Sequence, residues 1–267
     1  MVLVDGKKIA ADIAAAVKEK VEVSQTPVRL VVVACDPNFE TQRYLALKTA
    51  RAEALGITLV VEVLPREADT AAVVAAIAAS LPTVDGVVVQ LPLPSHIDTA
   101  TVLAAIPAAY DVDAFTYQGA MDAVVLPPVV AAIAEIARLH NVSWEGKNVV
   151  VFGSGRLVGA PAAAFAQAEG AHVTVVTETS ENVVDTARAA DIIILGVGKP
   201  NLLTPDMVKA GVVVFDAGAS EDGGLLVGDA APALADKAAL FTPVPGGIGP
   251  ITIAVLFQNL LKLKTRQ

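Results

Sequence analysis

Residues 148–178 read NVVVFGSGRLVGAPAAAFAQAEGAHVTVVTE, in which an apolar strand, a glycine turn, an Ala-rich helix, a second strand and an acid follow one another. Glycines at the end of a strand let the backbone approach a pyrophosphate, and the next helix points its unpaired N–H groups at it. Glu178 closes the second strand, where an acid can accept hydrogen bonds from an adenosine ribose. The spacing of Gly153, Gly155 and Gly159 also fits an ordinary tight turn between a strand and a helix. The five features in this order favour a dinucleotide-binding unit.

The composition favours two modest α/β domains that act on small molecules. The chain has 267 residues, of which 54% are hydrophobic and only 4% aromatic, so its core must consist of Ala, Val, Leu and Ile. Such a core suits helices packed on a Val-rich sheet. The formal net charge of −9 argues against nucleic acid or an anionic membrane as a partner, because neither would find a basic surface to dock on.

Cysteine and histidine are too rare to build a disulfide or a zinc site. Cys35 is the only cysteine and the chain has three histidines, so we expect no internal disulfide and no metal. Cys35 is expected to be a small buried residue at a strand end. The N-terminal residues become charged before any apolar run long enough for a signal peptide, and no stretch is apolar enough for a membrane span. A cytoplasmic protein is the simplest expectation.

Hydrophobic periodicity predicts an alternation of strands and helices. Ile9, Ile13, Val17 and Val21 recur every four residues, which predicts an amphipathic first helix. Strands are then predicted at 29–34, 57–63, 86–90, 148–152, 172–176, 191–195 and 212–216, and helices at 41–55, 71–80, 99–104, from 129 onward and at 250–261. This order predicts two α/β sheets of parallel strands with crossover helices. The domain boundary is expected in the turn-prone residues 110–119 or just beyond.

Four polar residues point to a ligand site in the first half of the chain. Tyr44 and Lys48 are four residues apart on a predicted helix and therefore share one face. Gln90 ends a strand of valines, and Asp113 follows in a polar loop. Taken singly, they read as a surface pair, a strand-end cap and a loop acid. Polar groups at the carboxyl ends of parallel strands face the crevice where α/β proteins bind ligands, which favours a site.

These residues belong to a set of motifs that resembles one family along nearly the whole chain, the methylenetetrahydrofolate dehydrogenase/cyclohydrolases, which are bifunctional folate enzymes. The motifs are Thr41-x-x-Tyr44-x-x-x-Lys48, Ala54-Leu-Gly-Ile57, Val-Gln90-Leu-Pro-Leu-Pro, Asp111-Val-Asp113, Gly-Val-Gly198-Lys-Pro200, Val-Gly228-Asp229 and Thr242-Pro-Val-Pro-Gly-Gly-Ile-Gly-Pro250-x-Thr252. So many motifs in one order make the resemblance highly specific.

The resemblance implies a fold and a reaction. Two α/β domains with parallel sheets would enclose a folate cleft: residues 1–126, with 247–267 returning to them, would form the catalytic domain, and residues 127–246 a Rossmann-type NAD(P) domain. The expected reaction oxidises 5,10-methylenetetrahydrofolate with NAD or NADP and then hydrolyses the methenyl product to 10-formyltetrahydrofolate. A homodimer is also implied.

The family's site residues fall on definite positions of this chain. The resemblance implies that Lys48 is the catalytic amine, that Tyr44 stacks on the folate, and that Gln90 and Asp113 hold the pterin or tune the lysine. A lysine desolvated in a cleft has a lowered pKa and can exchange protons near neutral pH. Further substrate contacts are implied for Thr41, Leu91, Pro245, Gly246, Gly247 and Thr252. Cofactor contacts are implied for Gly153, Ser154, Gly155, Arg156, Leu157, Val158, Glu178, Gly196, Val197, Gly198, Ala217, Gly218 and Gly249.

The chain departs from the family pattern at several positions. Residues 127–130 read PPVV where the family usually has Pro-Cys-Thr-Pro, Thr41 replaces a usual Ser, and Ala114 replaces a usual Gly. None of these positions belongs to the set of Tyr, Lys, Gln and Asp described above, so the oxidation is expected, and loss of the hydrolytic step is kept as an alternative. Members that use NADP usually have Arg where this chain has Ser154, and a Ser, Arg or His near Glu178. Because a carboxylate repels a 2′-phosphate but accepts from a free 2′-OH, we hypothesise a preference for NAD unless Arg156 supplies the charge.

Three alternatives remain at this point. The chain could be a dehydrogenase that has lost the hydrolytic step, or a folate- or nucleotide-binding protein without catalysis. The second is disfavoured because a binding protein has no need of the Lys48 amine. An amino-acid or shikimate-type dehydrogenase with the same two-domain plan is disfavoured by the loop at residues 242–250.

Overall fold

The structure, a computed structural model, describes residues 1–266, except for the side chain of Glu40. It confirms an α/β fold with parallel sheets. The strands are β1 (Val2–Leu3), β2 (Arg29–Cys35), β3 (Thr58–Leu64), β4 (Gly86–Val89), β5 (Asn148–Phe152), β6 (His172–Val176), β7 (Ile192–Leu195), β8 (Val213–Asp216), β9 (Ser220–Asp222), β10 (Leu225–Val227) and β11 (Leu240–Phe241). The helices are α1 (Gly6–Glu22), α2 (Phe39–Ala54), α3 (Thr70–Ser80), α4 (Thr99–Ala104), α5 (Pro128–Leu139), α6 (Gly159–Ala168), α7 (Val183–Ala189) and α8 (Ile248–Lys264). Within the described part of the chain, no helix combines the length and apolarity needed to cross a membrane.

The chain divides into two compact units. The lysine unit comprises Asp12–Thr116 together with residues 256–266, and the glycine-turn unit comprises Met1–Ala11 and Tyr117–Val255. Residues 1–11 belong to the glycine-turn unit because β1 pairs with β11, through Val2 with Leu240 and Leu3 with Phe241.

The lysine unit is built on a three-stranded parallel sheet in the order β3-β2-β4. The central strand β2 is buried along almost its whole length, as expected for a strand covered on both faces. Cys35 is the last residue of β2 and is buried, as predicted. The end of α8 is attached by an ion pair of 2.8 Å between Lys264 Nζ and Asp85 Oδ1. Earlier in α8, Asn259 Nδ2 donates to the Val112 carbonyl at 3.0 Å.

The glycine-turn unit contains a six-stranded parallel sheet in the order β1-β11-β8-β7-β5-β6. The inner strands β5, β7 and β8 are rich in Val and Ile without alternation, which is typical of parallel strands covered on both faces. Trp144 packs edge-on against Phe165 of α6 and stacks on Phe215 of β8, with ring centroids 5.4 and 5.8 Å apart. Strands β5, β7 and β8 end side by side, because the last residue of β5, Phe152, pairs with Leu195 of β7, which in turn pairs with Asp216 of β8. The loops that follow these strands therefore emerge in a row.

Four strands were not predicted from the sequence, and two predictions need correction. The very short strands β1 and β11 were missed, and so was the antiparallel hairpin of β9 and β10, which interrupts the expected succession of parallel strands. Gly223 and Gly224 form its two-residue turn, both with positive φ. Glu178 does not close a strand, because β6 ends at Val176 and Glu178 lies in the turn beyond. Helix α8 is longer at both ends than predicted. Its earlier start is possible because a proline, here Pro250, is tolerated in the first turn of a helix.

Candidate active site

Helix α2 of the lysine unit carries the predicted amine. The helix begins after Asn38, whose Oδ1 accepts a hydrogen bond of 2.8 Å from the Thr41 N–H. Leu45 and Ala52 bury the inner face of the helix, while Lys48 is half-buried at the border of that face. This position lets the lysine stem lie against the protein while its amine remains reachable.

The Lys48 amine is held by the side-chain amide of Gln90. Lys48 Nζ donates to Gln90 Oε1 at 2.9 Å, and Gln90 Nε2 donates to the Leu91 carbonyl at 2.8 Å. The second bond orients the amide so that its oxygen faces the lysine. Gln90 itself is anchored directly after β4, where its N–H donates to the Val33 carbonyl at 2.8 Å. A neutral acceptor leaves the amine free to gain or lose a proton, which a close ion pair would oppose.

Asp113 stands in a tight turn next to β4. The turn begins where Val87 N donates to the Tyr110 carbonyl at 2.8 Å. The buried Asp111 carboxylate then accepts from the Phe115 N–H at 2.7 Å and so closes the turn over Asp113. Ala114 adopts φ +52°, a left-handed conformation that costs a non-glycine residue about 1–2 kcal/mol.

The electrostatics of this cluster favour proton exchange. Burial lowers the pKa of Lys48, and the negative charge of Asp113 opposes that shift in part. Burial raises the pKa of Asp113 to about 6, against the opposing effect of the Lys48 ammonium. The pKa of Asp111 is also raised to about 6, first by burial and then by Asp113. The cluster therefore contains an amine and carboxyls whose charge states change closer to neutral pH than usual.

The remaining predicted substrate contacts are divided between the units. Tyr44 is 53% exposed, one helical turn before Lys48, so its ring is available to a ligand. Thr41 is buried and Leu91 is half-buried, both in the lysine unit. The other four, Pro245, Gly246, Gly247 and Thr252, belong to the glycine-turn unit. There Gly246 accepts at its carbonyl from the Gly6 N–H at 2.9 Å, which ties the loop to the start of α1.

The predicted glycine turn has a shape that suits a pyrophosphate. Gly153 follows β5 with φ +90°, and α6 begins at Gly159. A Cβ on Gly159 would stand 2.1 Å from the Gly153 carbonyl oxygen, so only glycine permits this close approach. Gly155, by contrast, has nothing within 4 Å of an added Cβ. Residues 154–157, between Gly153 and Gly159, are exposed. A ligand can therefore approach the backbone at the N-terminus of α6, where amides lack intrahelical partners.

Glu178 lies beside this turn even though it is outside the strand. Phe152 pairs with Val176, and the Gly153 N–H donates to the Val176 carbonyl at 2.8 Å. The turn after β6 is held by Ser180, whose Oγ accepts from the Thr177 N–H at 2.9 Å. The side chain of Glu178 is exposed at this edge of the sheet.

The other predicted cofactor residues line the same edge. Gly196 directly follows β7, which neighbours β5 in the sheet, and Ala217 directly follows β8, which neighbours β7. A Cβ on Gly196 would stand 2.3 Å from Val158 Cγ1, so the loop after β7 packs directly on the start of α6. The exposed predicted cofactor residues of the loops after β5 and β7 are Ser154, Gly155, Arg156, Leu157, Val197 and Gly198. Gly249 is also exposed, but it lies in the first turn of α8. Sequence reasoning assigned no role to Asp216 and Asp229, two buried acids in this region, although Asp229 was part of a quoted motif.

A cavity of about 530 Å³ lies elsewhere in this unit and does not belong to the site. It is lined by the amino ends of β5 and β6, including Asn148 and His172, whereas the glycine turn follows the carboxyl end of β5. Ligands of open α/β sheets bind outside the carboxyl ends of the strands, so the cavity carries no assignment.

The fold and the site define a class. A doubly wound parallel sheet with a glycine turn, in one chain with a second α/β unit that carries a lysine–glutamine–aspartate cluster, is the plan of a two-domain α/β dehydrogenase. The match to protein families is narrower. Residues 4–113 match the model for the tetrahydrofolate dehydrogenase/cyclohydrolase catalytic domain, and residues 127–267 match the model for the NAD(P)-binding domain of the same family. The chain belongs to the tetrahydrofolate dehydrogenase/cyclohydrolase family.

Individual relatives agree with this assignment over at least 97% of their length. The bifunctional protein FolD of Wolinella succinogenes is 37% identical over 283 aligned residues, which cover 100% of this chain and 98% of the relative. The crystal structure of the bifunctional FolD dehydrogenase/cyclohydrolase from Campylobacter jejuni superposes with a TM-score of 0.94 at 33% identity, covering 100% of both chains. The Trypanosoma brucei FolD, solved with NADP and an inhibitor, gives a TM-score of 0.91 at 30% identity and covers 99% of this chain and 97% of its own.

Proposed function

We infer that this chain oxidises 5,10-methylenetetrahydrofolate to the 5,10-methenyl form with NAD or NADP and hydrolyses that product to 10-formyltetrahydrofolate. Membership of the family supports the pair of reactions. The observation that carries the assignment of residues is the Lys48 amine, half-buried and bonded to Gln90, with Asp113 as its charged neighbour. Nothing else among the described residues combines an accessible aromatic ring, a desolvated amine and a carboxyl in this way.

The roles of the residues follow from their chemistry. When bound, the nicotinamide accepts a hydride from the one-carbon bridge, which leaves a cationic methenyl carbon. In the second reaction water adds to that carbon. One of the two water protons ends on the ring nitrogen, which keeps the electron pair as its C–N bond opens, and the other is released. A neutral Lys48 can take a proton from the attacking water, and its ammonium form can return one to the nitrogen. Gln90 orients the amine, Asp113 favours its charged form, and Tyr44 offers an exposed ring for stacking on the substrate.

The Lys48→Met variant tests the role of the amine. We expect the hydrolysis to fall by about 10²–10⁴-fold, because a positioned acid or base contributes a factor of that size. The oxidation is followed at the nicotinamide absorbance and the hydrolysis by the disappearance of methenyl-folate. Lys18→Met, on an exposed position of α1, is the matched control and should keep full activity. A Lys48→Met protein that hydrolyses methenyl-folate at the unmodified rate would overturn the mechanism.

The same two assays separate the remaining alternatives. A dehydrogenase without the second step would oxidise methylene-folate but hydrolyse methenyl-folate no faster than water alone does. A binding protein without catalysis would do neither, and Lys48→Met would then change nothing.

A preference for NAD is our proposal for the cofactor. It is supported by the exposed carboxylate of Glu178 beside the glycine turn and by Ser154, which places no positive charge there. A carboxylate accepts well from a free ribose hydroxyl and repels a 2′-phosphate. The exposed Arg156 and the hydroxyls of the turn after β6 are the groups that would favour NADP instead.

Steady-state kinetics with both dinucleotides test the preference. We expect a higher kcat/KM with NAD, and a shift of the NADP/NAD ratio by about tenfold toward NADP in Glu178→Ser, equivalent to 1.4 kcal/mol. Glu181→Ser removes the same charge three residues farther along and should leave the ratio unchanged. A higher kcat/KM with NADP in the unmodified chain contradicts the proposal.

We further propose that the protein is a homodimer, on the strength of the family likeness. Light scattering at micromolar concentration should give twice the chain mass of 27.3 kDa, and a monomer there would refute it.

A further inference from the structure

Two buried acids lie behind the loops of the glycine-turn unit and have no part in the proposed reactions. Asp216 is 1% exposed and Asp229 is 0% exposed. Asp216 is the last residue of β8, and Asp229 follows the hairpin of β9 and β10. Neither has an ion-pair partner among the described residues, so their bonds to the backbone must explain why they are tolerated.

Asp229 binds the loop that follows β7. Its Oδ2 accepts from the N–H groups of Val197 at 2.7 Å and Gly198 at 3.1 Å, and its Oδ1 accepts from Lys199 at 2.6 Å. Three consecutive amides thus point at one carboxylate. Bonds to an ionised acceptor are stronger than bonds between neutral groups, so this contact fixes the loop in one conformation.

Asp216 holds the segment that carries Asp229. Its carboxylate accepts from the N–H groups of Gly218 at 2.9 Å, Asp229 at 3.2 Å and Ala230 at 2.8 Å. Its own N–H donates to Thr242 Oγ1 at 2.6 Å, which adds the chain after β11 to the same network. We call Asp216, Gly218, Gly228 and Asp229 the carboxylate clasp.

The two glycines of the clasp are required by the two acids. A Cβ on Gly218 would stand 2.2 Å from Asp229 Cγ, and a Cβ on Gly228 would stand 2.1 Å from Asp216 Oδ2. Each acid therefore occupies the space that a side chain on the opposite segment would need. This reciprocal packing leaves the Asp229 carboxylate little room to turn away from the amides at residues 197–199.

The loop fixed by Asp229 contacts the glycine turn directly. A Cβ on Gly153 would stand 3.2 Å from Val197 Cγ2, while the side chain of Val197 is still 41% exposed. Val197 therefore has one side on the turn and another open to a ligand. Any shift of its backbone amide would move this side chain relative to Gly153.

We propose that Asp229 is a positioning residue for the dinucleotide: it does not touch the ligand but fixes the 197–199 amides so that Val197 forms a rigid wall of the site. The inference rests on the proposed dinucleotide-dependent oxidation. It predicts that the loop is ordered before the dinucleotide binds, so that binding incurs little ordering cost.

The Asp229→Asn variant tests the inference because it preserves shape but replaces one acceptor oxygen with a donor. We expect the KM for the dinucleotide to rise about tenfold or more, as for the loss of a charged hydrogen bond. The hydrolysis of methenyl-folate requires no dinucleotide, so its kcat/KM should stay within about twofold. Asp222→Asn, an exposed acid of β9, removes the same charge and should change neither value.

The possible outcomes separate a positioning role from a structural one. If both activities fall together, or if the dinucleotide KM is unchanged in an active enzyme, the inference is wrong. If the unmodified chain neither binds nor uses a dinucleotide, the proposed function itself fails. Should Asp229→Asn not fold, amide hydrogen exchange of the unmodified chain decides: residues 197–199 must be protected without dinucleotide, and free exchange there overturns the inference.

Discussion

Asp113 keeps the pKa of Lys48 above the value that burial alone would give. The Asp113→Asn variant removes that negative charge, so we expect the pKa of Lys48 to fall further. Nuclear magnetic resonance of labelled lysine follows the titration directly, and the inflection of the pH–rate profile for hydrolysis should move to lower pH with it. Asp122→Asn, an exposed acid outside the cluster, should leave the titration in place. An unchanged or raised pKa in Asp113→Asn would show that the carboxyl does not act on the amine.

Other single residues show that a sequence motif does not by itself predict the contacts that its residues make in the fold. The spacing of Tyr44 and Lys48 follows from helical geometry, so the sequence could predict their common face. The bond of Gln90 to Lys48 joins residues 42 positions apart and depends on how β4 and α2 pack. The sequence marks Ala114 only as a departure from the family. The structure shows that it adopts a left-handed conformation in a turn that is closed by the hydrogen bond from the Phe115 N–H to Asp111.

At the scale of elements, two glycines of the glycine turn are expected to have different roles: Gly159 is needed for packing, and Gly155 leaves room for a ligand to approach the backbone. A Cβ on Gly159 would meet the Gly153 carbonyl, so Gly159→Ala should destabilise the protein by about 1–3 kcal/mol, as overpacking does. Gly155→Ala meets nothing in the free protein and should leave its stability nearly unchanged. It should weaken dinucleotide binding if the pyrophosphate approaches this backbone as we propose. Thermal unfolding and dinucleotide titration measure the two effects. Equal stability of the two variants would contradict the packing argument.

The longer elements were predictable and the shortest were not. Strands such as β5 and β6 were predicted with the observed bounds because their apolar runs are local signals. Strands β1 and β11 have two residues each, too few for any periodicity, and they exist because Val2 meets Leu240 across almost the whole chain. The β9–β10 hairpin was missed although Gly223 and Gly224 mark a two-residue turn.

At the scale of the whole molecule, the buried aspartates predict how the free energy of unfolding depends on pH. Burial raises the pKa of Asp111, Asp113 and Asp216 to about 6, from 3.8 in an exposed carboxyl. Between these values the folded protein binds more protons than the unfolded chain, so its stability should fall as the pH rises from about 4 to 6 and then level off. Each unit of pKa difference corresponds to about 1.4 kcal/mol for a fully buried group.

Calorimetry between pH 5 and 7.5 tests this dependence. Asp216 is in the glycine-turn unit and the other two acids are in the lysine unit, so a transition of either unit should occur at lower temperature at pH 7 than at pH 5. The formal net charge of −9 at pH 7 acts in the same direction through self-repulsion. Stability that increases steadily with pH across this range would show that these carboxyls are ionised in the folded state without cost.

The sequence by itself determined the succession of parallel strands and helices, the glycine turn and the helix face of Tyr44 and Lys48, because each depends on residues close together in the chain. The tertiary structure alone decided what Asp216 and Asp229 do. The donors to Asp229 lie 30 to 32 residues away, and those amides converge on its carboxylate only after β7 and β8 have paired. A buried charge is tolerated only where hydrogen-bond donors surround it. No local sequence pattern predicts which strand ends lie side by side, so the sequence could not predict these contacts.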